Sequence, residues 1–93
     1  MRELDPLLHS QLRLAIVSLL LSVETADLVY LKEKTNATAG NLSVQLEKLE
    51  TAGYMQVKKE FVVKKTLTSC QLTDTCMKAL EDYIDALREY INL

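Results

Sequence analysis

The spacing of apolar residues changes along the chain, and each change marks an element. Leu8, Leu12, Ile16 and Leu19 form one stripe at helical spacing, while Leu7, Leu14, Val17 and Leu21 form another on a different face. A helix is predicted from Asp5-Pro6 to about Ser22, because Asp5 can accept from the free N–H groups of a first turn and Pro6 there forfeits no hydrogen bond. A helix apolar on two faces in so small a chain predicts burial against its own domain on one side and against a second chain on the other. Asp27 can cap a short helix to about Lys34, with Leu28 and Leu31 inward and Asn36 leaving it in a left-handed conformation. Thr38 caps a third helix in which Leu42, Leu46 and Leu49 turn inward and Gly53 ends the run. Two short helices joined by a tight turn make a helix-turn-helix.

From Tyr54 to Leu72 the helical period disappears, and Val57, Phe61, Val62, Val63, Thr66 and Thr68 favour extended backbone. The stretch is too long for an ordinary single strand, so a hairpin folding back around residues 60–64 is predicted, although no Gly, Asn or Asp marks the turn. Thr73 then opens a last helix with Asp74 near its positive end. Met77, Leu80, Ile84, Leu87 and Ile91 follow at alternating spacings of 3 and 4, a coiled-coil pattern that calls for a partner helix.

At 93 residues and 48% hydrophobic content the chain suffices for one core and not two, so a single domain over residues 1–93 is expected. Gly40, Gly53 and Pro6 are its only Gly and Pro residues, which leaves no flexible linker. The net charge of −2 is unlike a typical nucleic-acid binder, but its distribution is uneven: residues 54–72 hold four lysines against the single Glu60, and residues 73–93 are acidic. Cys70, Cys76 and His9 cannot assemble a four-ligand zinc site, so no structural metal is expected. Two free thiols fit a reducing cytosol, with a redox role for the pair as a minor reading. The apolar run Leu14–Leu21 lacks a basic leader, since Glu3 and Asp5 precede it, and Glu24 stands where a cleavage site would want a small residue. No run approaches the roughly 20 residues of a membrane span, so a cytoplasmic protein without membrane partners is expected. No phosphate-binding glycine loop and no nucleophile beside a base is visible, so neither an enzyme nor a cofactor is expected.

The segments Leu4-Asp5-Pro6-Leu7, Leu12-Arg13-Leu14-Ala15-Ile16, Gly40-Asn41-Leu42-Ser43, Leu46-Glu47-Lys48-Leu49-Glu50, Ala52-Gly53-Tyr54 and Leu72-Thr73 resemble the compact winged-helix transcriptional regulators related to the MarR and ArsR groups. The resemblance runs over nearly the whole chain. It implies a mainly α fold with a small β-hairpin, a winged helix-turn-helix whose N- and C-terminal helices form a dimer interface. It also implies a recognition helix at about 38–52, a wing at about 54–72 and a dimerisation helix at about 73–92.

On that reading the chain is a homodimeric, sequence-specific regulator binding double-stranded DNA. Thr38, Gly40, Asn41, Ser43, Val44, Gln45 and Lys48 then face DNA from the recognition helix, and Lys58, Lys59, Lys64 and Lys65 meet phosphates from the wing. The residue types agree: Asn and Gln pair bidentately with adenine, Val touches a thymine methyl, and lysine reaches phosphate. The ordinary role of such residues is a solvated helix face and a protected edge strand. Leu7, Leu14, Val17, Leu21, Met77, Leu80, Ile84, Leu87 and Ile91 are the expected dimer contacts. The sequence departs from the pattern of the family it resembles at the wing tip, Phe61-Val62-Val63, where Gly, Arg or Pro is common, and at Cys76, where a glycine is usual. The apolar tip, the acidic balance and the lack of Arg near the recognition helix favour an alternative, a winged-helix interaction module that does not bind DNA. Operator and any small-molecule effector are not legible.

Overall fold

In a computed structural model, which describes residues 1–91, the elements follow in the order α1 Gln11–Val23, β1 Thr25–Asp27, α2 Leu28–Thr35, α3 Ala39–Thr51, β2 Met55–Val62, β3 Lys65–Leu72 and α4 Asp74–Ile91. Position 92, the expected end of the last helix, lies outside the described residues.

The first helix starts later than expected. Asp5 does cap, accepting from Leu7 N–H at 2.9 Å, and its carbonyl takes the N–H of His9 at 2.8 Å, but this closes a single turn. Ser10 then breaks the run with extended backbone (φ −150°, ψ 129°), and its carbonyl receives Leu14 N–H at 2.8 Å as the true N-cap of α1. At the other end Glu24 leaves the helix with φ 65° and the chain runs directly into β1, a strand absent from the sequence prediction. β1 is three residues long, and its register partner is distant: Ala26 pairs with Cys70 of β3. Asp27 closes the strand and caps α2, accepting from Tyr30 N–H at 2.8 Å.

The remaining boundaries follow local chemistry. Asn36 (φ 58°, ψ 25°) ends α2 in the left-handed region, and Thr38 accepts from Asn41 N–H at 3.1 Å to open α3. Gly53 (φ 80°) ends α3, where a residue with a Cβ would be strained. Thr73 ties the neck of the following hairpin. Its hydroxyl donates to Gly53 carbonyl at 2.6 Å and accepts from Cys76 N–H at 3.2 Å, while its own N–H reaches Tyr54 carbonyl.

The sheet is antiparallel in the order β1-β3-β2. β2 and β3 form the predicted hairpin, with Val62 opposite Lys65, so the turn is the two-residue Val63-Lys64 at the late end of the expected range. Leu8, Ile16, Val17 and Leu20 pack with Leu31, with Leu42, Leu46 and Leu49, and with Met55, Cys70, Cys76, Leu80 and Tyr83 in one core. Each fully buried aliphatic side chain there contributes about 1.5–3 kcal/mol.

The core corrects the expected dimer contacts. Val17 is 0% exposed and Leu80 is 8% exposed, so both belong to the protomer's own interior. α4 turns Cys76, Leu80, Tyr83 and Ala86 inward, a face rolled from the Met77–Ile91 stripe. Leu7 precedes α1 and lines a shallow depression with Val44, Lys48 and Thr51 of α3. It therefore belongs to the surface of α3. Leu14 and Leu87 are half-buried, whereas Leu21, Met77, Ile84 and Ile91 remain exposed.

Candidate nucleic-acid interface

α3 presents its polar face because Leu42, Leu46 and Leu49 lock the opposite face into the core. Thr38, Gly40, Asn41, Ser43, Val44 and Lys48 are exposed on it, and Gln45 is half-buried. A Cβ at Gly40, the second residue of α3, would meet nothing within 4 Å, so no neighbouring element crowds the helix at that position. Intrahelical bonding leaves over the first-turn N–H groups, of which Thr38 takes that of Asn41.

Gln45 is not free. Its side-chain carbonyl accepts from the guanidinium of Arg13, and its amide nitrogen donates to Asn41 Oδ1 at 3.0 Å. Arg13 is itself anchored, donating to Leu7 carbonyl at 2.6 Å and Pro6 carbonyl at 3.4 Å. An arginine therefore does stand against α3, contrary to the sequence expectation, and α1 supplies it. Its isolation as the basic residue within an apolar helix was the available signal, since a lone charge among Leu and Ile has to reach a polar partner.

On the hairpin the lysines part ways. Strand alternation puts Lys58, Glu60 and Val62 on one face and Lys59 and Phe61 on the other. Lys58 pairs with Glu60 at 2.9 Å, and that carboxylate holds the ammonium above the usual lysine pKa. Its charge is thus locally matched, which weakens its expected phosphate role. Lys59 lines a cleft between hairpin and α3 together with Ser43, Glu47 and Glu50, so acidic groups flank it. Lys64 sits in the turn and Lys65 starts β3, both exposed. No salt bridge engages either of them among the described residues.

Elsewhere the polar groups serve the fold. Tyr54 donates its hydroxyl to Asp5 at 2.5 Å, and burial together with that carboxylate pushes the phenol up to about 12. His9 Nδ1 and the Tyr83 hydroxyl lie 3.1 Å apart. Arg2 pairs with Glu89 at 2.6 Å, and Tyr90 donates to Arg2 carbonyl, which holds the start of the chain against the end of α4. Cys70 and Cys76 are buried free thiols, each pushed up to about 11 chiefly by burial. A thiol so poor in thiolate is a weak redox sensor. No helix in residues 1–91 is long and apolar enough to cross a membrane.

Residues 12–91 match the family described as winged helix DNA-binding domain. An uncharacterized protein of Methanocaldococcus jannaschii is 37% identical over 76 residues, covering 82% of this chain and 83% of that protein. Among solved structures, the transcriptional regulator homologue from Pyrococcus horikoshii superposes with a TM-score of 0.83 at 24% identity, over 92% of this chain and 85% of that one. Stf76 from the Sulfolobus islandicus plasmid-virus pSSVx gives 0.62 at 25% identity, over 75% and 92% of the two chains. The putative regulator ytfH from Salmonella typhimurium gives 0.74 at 22%, over 92% and 75%.

Proposed function

The chain belongs to the winged helix DNA-binding domain family, and from that premise we propose that it is a homodimeric transcriptional regulator that reads duplex DNA with α3 and grips phosphate with the wing. The observation that carries this reading is the α3 surface: an exposed polar face from Thr38 to Lys48, uncrowded at Gly40, beside wing lysines Lys64 and Lys65 that no salt bridge engages among the described residues. α3 is the recognition helix on this reading, and its Asn41, Ser43, Val44, Gln45 and Lys48 address base edges and phosphates in the major groove. The regulator names carried by the superposable structures of Pyrococcus horikoshii and Salmonella typhimurium support the assignment.

The homodimer rests on exposed apolar side chains of two helices: Leu21 of α1 and Met77, Ile84 and Ile91 of α4. Leu21 and Met77 line one shallow pocket, so the two helices form a continuous surface there. Leu14 and Leu87, the other expected contacts on these helices, are half-buried and pack against the protomer's own core. In such a dimer the recognition helices sit about 34 Å apart, giving a palindromic site with half-sites one turn apart.

Binding to random duplex DNA at low and at moderate salt tests the function. Affinity that falls steeply with salt supports it, because neutralised phosphates release counterions. Absence of binding at low salt would leave the interaction-module reading, which the Lys58–Glu60 pair and the apolar wing tip favour.

A further inference from the structure

The chain ahead of α1 is a strap tied to α4 and to the neck of the hairpin. Arg2 pairs with Glu89 and gives its carbonyl to the Tyr90 hydroxyl at 2.8 Å, while Asp5 takes the Leu7 N–H and the Tyr54 hydroxyl. Strap and α4 together enclose a cavity of about 450 Å³, within the ~300–1,000 Å³ usual for small-molecule sites. Ala79 and Ala86 of α4 line it, and their side chains are too short to fill it.

The rest of the lining is aromatic and acidic. Tyr54 and Tyr83 supply phenol rings, and Tyr83 is 5% exposed, so its ring is a fixed wall. Glu3 and Asp5 of the strap and Asp82 of α4 supply carboxylates. The cation of the lining, Arg2, is already taken by Glu89, and Asp85 and Asp82 add to the negative field that holds its guanidinium above the usual arginine pKa. Among the described residues no salt bridge engages Glu3, Asp5 or Asp82. Carboxylates and aromatic rings around one space suit a cation with an apolar body, because the charge meets both and the body covers the alanines. An anion would be repelled, and a wholly apolar ligand would strip water from the carboxylates without replacing its hydrogen bonds.

The proposed dimer leaves this space free. At about 100° per residue, Ala79, Asp82, Tyr83 and Ala86 lie on roughly the opposite side of α4 from Met77, Ile84 and Ile91.

We propose that the cavity binds a small organic amine, protonated at neutral pH, with its ammonium on the carboxylates of Asp5 and Asp82 and its apolar body against Ala79 and Tyr83, and that the strap reports its presence to α3. Asp5 is where the report begins. An ammonium on its carboxylate competes with the Tyr54 hydroxyl, and the next two residues, Pro6 and Leu7, hold Arg13 through carbonyls at 3.4 and 2.6 Å. Arg13 in turn holds Gln45. The site stands without DNA; an effect of the amine on base readout rests on the DNA-binding reading above.

Titration calorimetry of the full chain with phenethylamine tests the site, against two probes of similar shape, the anion 3-phenylpropionate and the neutral 2-phenylethanol. The amine is expected to saturate one site per chain at submillimolar concentration, with the other two at least about tenfold weaker. Asp82→Asn made together with Glu3→Gln, both at exposed positions, is expected to weaken the amine by a similar factor. Ala79→Leu, which fills the cavity from a half-buried position, is expected to abolish binding, and far-UV circular dichroism checks the fold of each variant. In NMR spectra of the labelled chain the amine is expected to shift the Leu7 amide, the Arg13 guanidinium and the Gln45 side-chain amide along with the signals of Tyr54. No saturable binding of the amine, equal affinity for all three probes, or an affinity unchanged in the charge variant would overturn the site. Shifts confined to the cavity would overturn its link to α3. Every readout is taken without DNA, so failure here leaves the DNA-binding reading standing, and loss of that reading leaves the site.

Discussion

Arg13 holds the side-chain carbonyl of Gln45, and on the proposed reading that contact decides which atoms α3 would offer to a base. With its carbonyl engaged and its amide shared with Asn41, Gln45 presents chiefly N–H donors, as does the remaining amide of Asn41. Adenine needs a donor and an acceptor together, whereas guanine O6 and N7 are both acceptors. The adenine pairing expected from residue type is therefore disfavoured in this arrangement. Asn41→Ala or Gln45→Ala is expected to cost about 1–3 kcal/mol against the preferred site with little change in nonspecific affinity. Arg13→Ala is expected to release the Gln45 carbonyl and move the preference at that position toward adenine. Selection from a random pool with all three variants checks both; an unchanged preference would remove α3 from base readout. The thiols give a second residue-scale prediction. Cys70 and Cys76 sit at about 11 when folded and near 9 when exposed, so the unfolded chain loses those protons first as pH rises. Stability is expected to be intact below pH 9 and to fall between pH 9 and 11, as followed by thermal unfolding across that range.

At the scale of the element, the wing turn is a strained feature. Val63 (φ 43°) and Lys64 (φ 63°) both adopt positive φ, the backbone of a two-residue hairpin turn normally filled by Asn-Gly or Asp-Gly. A β-branched residue there costs about 1–3 kcal/mol, so Val63→Gly is expected to stabilise the hairpin by part of that amount in chemical denaturation. The same strain explains why the turn was hard to place: its position follows from pairing of Val62 with Lys65, and the usual turn residues are absent. Lys64→Ala with Lys65→Ala is expected to weaken DNA binding about equally for all sequences and to lower the salt-dependence slope by about 2 if both touch phosphate. An unchanged slope would confine these lysines to keeping the ribbon soluble.

Across the whole molecule, the exposed apolar surface left on α1 and α4 has to be covered or tolerated. Ile84 is 41% exposed on the outer face of α4, and Ile84→Glu is expected to convert a dimer to monomer without loss of fold. A monomeric mass for the unsubstituted chain at micromolar concentration, by light scattering, would remove the dimer. Leu80→Glu is the contrasting substitution. It places a charge in the protomer core and is expected to destabilise the fold itself by several kcal/mol.

Local chemistry determined what the sequence alone could decide. Asp27, Asn36 and Thr38 act on backbone groups within a few residues, Gly53 ends α3 through its own φ, and Thr73 takes Cys76 N–H, so the limits of the last three helices and the helix–helix–helix–hairpin–helix order followed from local positions. The inward Leu42, Leu46 and Leu49 stripe was equally legible, because the helical period alone selects it. Partners distant in the chain decided the rest. β1 exists because Ala26 finds Cys70, some forty residues away, and three residues carry no period of their own. Val17 and Leu80 satisfied the expected contact stripes, yet only packing could show that the protomer buries both. Arg13 meets Gln45 only because α1 crosses α3. Spacing along the chain names the face a residue shares; what lies opposite that face is settled by the tertiary fold.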